Sequence, residues 1–294
     1  KVLLGECPDI DPDAFESTEH ALGALWSVFH QFPFQDEAEW QNYLGALLVP
    51  MLRPAYYGPT LWLLIEANLP SSGKTFLAEA IQMLYGHRAE KRVLPTEEVE
   101  IEKSMLLLLS EARPIEIFDN VKHVVDSATI ELVATTSDNY NGRVLGKTEG
   151  RSLPVKQLFV ITAQNATMGP DSARRFMRCR LQKRTAVTAN AKTRPQFVIK
   201  GFLQYVKDNR AWMLSALARL ARDWFAAGKP VADTVPMVAT FEAFCETVGG
   251  IMHRSGCTQW LANYDEAKSG FAINDEWGIF FRVWWKAFAV KPQS

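Results

Sequence analysis

Apolar residues recur at three- and four-residue spacing through Leu22, Leu25, Trp26 and Phe29, and residues 38–52 look similar, so the N-terminal portion reads as helical. After Gly58-Pro59 the texture changes. Leu61-Trp62-Leu63-Leu64-Ile65 is a short, unbroken apolar run, as expected of a strand buried on both faces of a parallel sheet. The stretch from about Lys74 to Tyr85, closed by Gly86, predicts a helix. Helical spacing returns near 97–111. Ile115-Glu116-Ile117-Phe118 then reads as a second buried strand, and Gln157–Thr162 as a third. Beyond about 195, Met213, Leu214, Leu217, Leu220, Ala221, Trp224 and Phe225 form one apolar stripe, stopped by Gly228 and Pro230. Further helices are expected over 238–254 and 275–288. Alternating strand and helix predict an α/β layer, a parallel sheet flanked by helices. The chain divides into an acidic helical segment (1–55), an α/β core (56–187) and a C-terminal helical subdomain (188–294), with neither an internal repeat nor a low-complexity linker.

Composition narrows the class. With 294 residues, 48% hydrophobic and 22% charged, the chain can bury a full core, which excludes wholesale disorder and rod-like folds. Its longest apolar runs fall far short of the roughly 18–20 residues a membrane span needs, so a cytoplasmic protein with no membrane partner is expected. The first residue is Lys1 and no signal-peptide pattern follows, so the sequence reads as a piece of a longer protein. Cys7, Cys179, Cys245 and Cys257 lack C-x-x-C spacing and read as structural thiols in a reducing compartment. The five histidines are scattered, so a zinc site is not expected.

The net charge of −1 hides an asymmetry. Residues 1–50 carry nine acids against Lys1, a net −8, whereas residues 143–200 carry thirteen bases against Glu149 and Asp171, a net +11. Such a basic region points to an anionic partner, nucleotide or nucleic acid.

Directly after the first strand comes Asn68-Leu69-Pro70-Ser71-Ser72-Gly73-Lys74-Thr75. This is the phosphate-binding pattern G-x-x-x-x-G-K-[ST] with Asn68 in place of the first glycine, a residue that accepts a left-handed backbone. In such a loop the backbone amides around Gly73 and the helix N-terminus hold the β-phosphate. Lys74 reaches the β/γ oxygens and Thr75 ligates Mg²⁺. Ser71 and Ser72 belong to the cradle, and Pro70 removes one possible donor. A second Gly-Lys-Thr, at 146–148, is followed by Glu149-Gly150-Arg151-Ser152 rather than a helix, so only the first has the required flanks. ATP and Mg²⁺ are the expected cofactors.

Asp119 ends the second strand, where a carboxylate can hold Mg²⁺ through water. The next position, commonly a glutamate that orients the attacking water, is Asn120. Glu66 and Glu111 are substitutes for that role. Asn165, closing the third strand, is the expected γ-phosphate sensor. Arg174 and Arg175, beyond it, suit an arginine finger acting on a phosphate bound by the adjacent subunit, which requires an oligomer. Residues 141–156 read as a β-hairpin around a turn containing Gly150, with Arg143, Lys147, Arg151 and Lys156 on arms and tip. It is either an ordinary exposed hairpin or a loop gripping a nucleic-acid backbone.

Together these motifs resemble the AAA+ ATPases of the superfamily 3 and minichromosome-maintenance-like helicase group, especially the replication ATPases of phages and bacterial integrative elements. The resemblance runs from about Phe32 to Lys183. It is carried by Ala67–Thr75, Ile117-Phe118-Asp119-Asn120-Val121, Arg143-Val144-Leu145-Gly146 and Asp171-Ser172-Ala173-Arg174-Arg175. It implies an AAA+ P-loop core, a hexameric ring hydrolysing ATP between subunits, and single-stranded DNA drawn through the channel by the hairpin. Arg210 is a further expectation, as a second sensor. The alternative is a nucleotide-gated AAA+ switch or scaffold with slow hydrolysis and no unwinding, for which a basic hairpin is superfluous.

Overall fold

A computed structural model describes residues 8–143, 150–182 and 197–265, together with Trp284. Two N-terminal helices come first: α1 (Thr18–Phe29), started by the Ser17 hydroxyl accepting from the His20 amide, and α2 (Glu37–Leu52), started by Asp36 accepting from the Glu39 amide. Both caps satisfy orphan amides of a first turn. The core then runs β1 (Trp62–Ala67), α3 (Lys74–Leu84), α4 (Glu98–Glu111), β2 (Ile115–Val121), α5 (Ala128–Thr135), β3 (Asn139–Arg143), β4 (Gly150–Pro154), β5 (Leu158–Gln164), α6 (Pro170–Ala173) and β6 (Phe176–Leu181). Helices α7 (Phe202–Asp208), α8 (Arg210–Ala226), α9 (Glu242–Phe244) and α10 (Gly250–Arg254) follow, the last two joined by a π-helical segment, Cys245–Gly249.

Four parallel strands form the central sheet in the order β2-β5-β1-β6. Alternation along β1 divides the core. Leu63, Ile65 and Ala67 face a layer built from α1, α2, α3, α7 and α8, whereas Trp62 and Leu64 face α4, α5 and β4. Both faces are covered, which is why β1 and β5 read as continuous apolar runs. The first layer draws on the N-terminal segment, the core and the C-terminal helices together, so these three regions share one apolar cluster.

Strand β6 departs from the sequence reading. Residues 171–181 are expected as an arginine-bearing segment, and no strand is anticipated there, because Arg178 and Arg180 interrupt the apolar run. In the fold these charges are compensated: Arg178 lies 3.2 Å from Glu39 and 3.9 Å from Glu66, and Arg180 lies 3.5 Å from Glu66. Burial pushes the Glu39 carboxyl up to about 7, opposed by Arg178 and the Arg180 amide. The helix expected over 238–254 is present as one continuous run from Glu242 to Arg254, starting later than expected and widened to a π-helical turn over Cys245–Gly249. There Gly249 and Gly250 press against Trp260 and Trp224, so that a Cβ on either would lie within 2.7 Å of an indole or of Val235. The helix expected over 275–288 lies outside the described residues apart from Trp284. No helix among the described residues is long and apolar enough to cross a membrane.

Candidate functional site

The carboxyl ends of β1, β5 and β2 lie side by side, the position at which open α/β sheets present ligand sites. Because β5 lies between β1 and β2, residues from all three strand ends and from the start of α3 converge. Four residues there have left-handed backbones: Ser71 (φ 57°), Gly73 (φ 94°), Asn120 (φ 57°) and Asn165 (φ 48°). This is the conformation glycine and asparagine tolerate best, so Ser71 carries the steric cost within the loop. Asn68, expected to take that conformation, does not. Its amide reaches the Leu181 carbonyl at 3.4 Å, extending the β1–β6 pairing, and the turn is made later in the loop.

Gly73 is the N-cap of α3, and no side chain caps the helix. The first-turn amides are therefore offered to an anion. A Cβ on Gly73 would lie 2.7 Å from the Phe32 ring and 3.1 Å from Phe197, so this position requires glycine on two counts. Ser72 closes the loop internally by donating to the Leu69 carbonyl at 2.5 Å. A cavity of about 450 Å³ is lined by Ser71–Phe76 and by Phe197, whose ring meets Phe76 at 5.6 Å.

Asp119 is the hub. Its Oδ1 accepts from the Thr75 hydroxyl at 2.8 Å and from the Thr162 hydroxyl at 2.6 Å. Thr162 in turn accepts from the Asn120 amide at 2.8 Å. The other carboxylate oxygen lies 3.9 Å from the Lys91 ammonium, which is held at 2.9 Å by Glu79 of α3. Lys91 reaches this point because Arg92 pairs beside β2, donating to the Ile117 carbonyl and accepting from the Asp119 amide. Lys74 sits between two carboxylates: burial pushes its ammonium below the usual range, and Asp119 and Glu66 oppose that shift. Asn165 is exposed, and its amide donates to the Ala67 carbonyl at 3.3 Å, tying the end of β5 to that of β1.

Of the two glutamates considered for the water-orienting role, only Glu66 is at this end of the sheet. It is buried, accepts from the Ala166 amide at 3.2 Å, and is pushed up by burial against the pull of Arg180, Arg178, that amide and Lys74. Glu111 is bound to Arg92 at 2.5 Å and Arg113 at 3.2 Å where α4 ends, ahead of β2. Neither motif nor spacing marks Thr162, Lys91 or Glu79 as site residues. Thr162 alone had a signal, as a polar residue in an otherwise apolar run.

Arg174 and Arg175 precede β6, at the opposite end of the sheet from the loop. Phe176 is level with Trp62, and Leu181 with Ala67. Six residues of strand separate the two ends by about 20 Å. Arg174 is exposed and pairs with Asp171, whereas Arg175 is largely buried against Glu131 at 3.6 Å. Arg210 lies against Gly86 at the far end of α3 from Gly73, away from the loop.

The expected hairpin is present as β3 and β4, with Arg143 opposite Gly150 and Gly142 opposite Arg151. Gly150 begins the second arm rather than forming the turn. Residues 144–149, Lys147 among them, lie outside the described residues, as does the side chain of Arg143. Lys156 falls beyond β4 on the way into β5, its ammonium 5.7 Å from the centre of the Tyr57 ring. Among the described residues no cluster of three or more His, Cys, Asp or Glu side chains has metal-binding geometry.

No protein-family model matches the chain, and no curated protein does. Among solved structures, the chain is similar to JCV helicase, crystallised with N-(4-(2-(thiazolo[5,4-c]pyridin-2-yl)phenoxy)phenyl)acetamide. The identity is 16% over 80% of this chain and 67% of that chain, with a TM-score of 0.32, a likeness too distant to carry an argument about function.

Proposed function

We propose that the chain is an ATP-hydrolysing motor of the AAA+ type that moves on DNA, a helicase core for a phage or mobile genetic element in the class its motifs resemble, assembling as a ring with single-stranded DNA in its channel. The observation that carries the nucleotide reading is the Thr75–Asp119–Thr162 node beneath the uncapped, glycine-headed start of α3. A hydroxyl and a carboxylate 2.8 Å apart are the oxygen donors a hard divalent cation takes, and open helix amides beside a lysine are what a polyphosphate takes. The residues therefore fit Mg²⁺ and ATP.

In this reading Ser71, Ser72, Gly73 and Lys74 hold the phosphates, with Asn68 and Pro70 shaping the loop's entry, and Thr75 and Asp119 hold Mg²⁺. When bound, the cation neutralises charge developing on the transferred phosphoryl group. Thr162 positions Asp119. Asn165, tied to Ala67, senses the far phosphate, and Asn120 or Glu66 orients water. Arg174 serves the neighbouring subunit's site, because within one chain it lies a strand length from the loop. Arg143, Lys147 and Arg151 on the hairpin contact the DNA backbone, and Lys156 is a candidate at its base.

Asn120 supports a second reading. An amide in place of a carboxylate cannot accept a proton from water, which favours a slow, nucleotide-gated switch. ATP turnover with and without single-stranded DNA decides between them, using Lys74→Ala and Lys147→Ala. DNA-stimulated turnover abolished by the first variant, with stimulation lost in the second, supports the motor. Binding without turnover or DNA response in the assembled oligomer supports the switch.

A further inference from the structure

Glu79 enters the site from the helix that carries the loop. It lies four residues after Thr75, so α3 presents the Thr75 hydroxyl and the Glu79 carboxylate on one face. Thr75 donates to Asp119 at 2.8 Å, and Glu79 accepts from the Lys91 ammonium at 2.9 Å. The two oxygens of Asp119 are not equivalent. A carboxylate oxygen has about two lone-pair sites, and on Oδ1 both are taken, by the hydroxyls of Thr75 and Thr162. Oδ2 is the oxygen left for a cation, or for water bound to one. It faces the Lys91 ammonium at 3.9 Å, beyond hydrogen-bonding distance, although the same ammonium closes to 2.9 Å on Glu79. The side chains also differ in freedom. Glu79 is 9% exposed and Asp119 18%, whereas Lys91 is 45% exposed, on a flexible four-carbon stem. Two carboxylates therefore compete for one adjustable positive charge, and the more buried of them holds it.

We propose that Glu79 keeps the Lys91 ammonium off Oδ2 of Asp119, and that this pair of positioning residues sets how strongly the site takes a divalent cation. The inference rests on the nucleotide and Mg²⁺ reading above. Lys74, the other ammonium on which Asp119 acts, is assigned there to the phosphates. Competition is the physical basis: an ammonium and a divalent cation against one carboxylate oxygen repel each other, and at about 4 Å a unit charge near a protein surface is felt strongly. With Glu79 charged, Lys91 is drawn aside and Oδ2 is open. With Glu79 neutral, Asp119 is the remaining partner, and Lys91 closes on the oxygen the cation needs. The field of Glu79 acting directly on the cation has the same sign, so the test asks whether the lysine carries the effect.

The full chain is titrated with a fluorescent ADP analogue in Mg²⁺ and in EDTA, and the ratio of the two Kd values reports the coupling of cation to nucleotide. The parent binds more tightly in Mg²⁺. Lys91→Met raises that preference at least about threefold, and Glu79→Gln lowers it at least about threefold. Added to Lys91→Met, Glu79→Gln changes nothing further, because no ammonium is there to be released. Thermal melting checks folding, and Lys91→Met, at an exposed position, decides alone if Glu79→Gln does not fold. A ratio that is unmoved or falls in Lys91→Met, or an equal fall on Glu79→Gln with and without the lysine, overturns the inference and leaves the site reading in place. Binding of the analogue to Lys91→Met at least about tenfold weaker in EDTA also overturns it and assigns the ammonium to the nucleotide's phosphates. A parent chain with no Mg²⁺-dependent binding overturns the site reading itself, and the inference with it.

Discussion

The Thr75 hydroxyl donates to the Asp119 carboxylate across 2.8 Å, although the two residues are 44 positions apart and on different elements. Thr162 approaches the same oxygen from the neighbouring strand at 2.6 Å. Asp119 is thereby oriented from two sides. The hydroxyl of Thr162 also receives the Asn120 amide, so one buried side chain fixes both a carboxylate and the turn that follows it. Pre-set geometry of this kind is what a metal and phosphate site requires before ligand arrives.

Thr162→Val keeps the shape of the side chain and removes the hydroxyl. The Asn120 amide then loses its partner, at a cost of about 1–3 kcal/mol of stability. ATP turnover falls by about tenfold, equivalent to ~1.4 kcal/mol of barrier, because Asp119 is freed to rotate. Asp119→Asn falls further, by roughly 100-fold or more. Melting curves and steady-state turnover measure the two effects separately. Parental turnover in Thr162→Val would show that Asp119 needs no support from β5.

Gly73→Ala meets two obstacles, a backbone at φ 94° and the Phe32 ring 2.7 Å from the new methyl. The loop must open or Phe32 must move, with a stability loss of about 1–3 kcal/mol and the start of α3 displaced. Nucleotide affinity measured by titration calorimetry drops at least about tenfold. A variant that binds ATP as the parent does would place the phosphates elsewhere.

Which parts of this molecule are legible in the sequence follows from what each part depends on. Strands β1, β2 and β5 are visible because each buries a nearly continuous apolar run, and α3 is visible through its period and its glycine stop. Strand β6 is hidden because its arginines are neutralised by Glu39 and Glu66, partners 139 and 114 positions from Arg178 and Arg180, and one sequence does not display such pairings. The loop and Asp119 are legible because each follows a recognisable apolar strand, and the loop also precedes a recognisable helix. Thr162, Lys91 and Glu79 join the site through tertiary contacts. Asn68 illustrates the limit of residue preference: a residue able to take the left-handed region is present, yet the chain turns at Ser71.

Burial pushes the Glu116 carboxyl up to about 7, with Arg92 opposing at 3.8 Å and one carboxylate oxygen buried without a partner. Between the unfolded value near 4.5 and about 7, the folded chain holds a proton that the unfolded chain has released. Stability from this group is therefore full below pH 4.5 and is lost as pH rises toward 7. Glu116→Gln removes that slope. Relative to the parent it gains stability between pH 5 and 8, on the order of 1–2 kcal/mol. Urea melts of both proteins across that range test the difference. A gap that stays constant or narrows with rising pH refutes the assignment.

Arg174 and Arg175 are adjacent in sequence and differently placed, and that difference makes the ring reading testable. The Arg174 side chain is 58% exposed, so Arg174→Ala leaves the melting temperature of the isolated chain unchanged. Arg175 is 17% exposed, donates to Asp171 and Glu131 carbonyls and pairs with Glu131, so its truncation costs about 1–2 kcal/mol of stability. In the ring reading Arg174, a strand length from its own loop, acts on a neighbour's nucleotide, and the two defects are then expected to complement. Arg174→Ala chains and Lys74→Ala chains, each inactive alone, regain part of the parental ATP turnover when mixed, since some interfaces then join an intact loop to an intact arginine. A mixture as inactive as its components, with co-assembly verified by mass, would remove Arg174 from the site and leave the oligomer without a catalytic role for this surface.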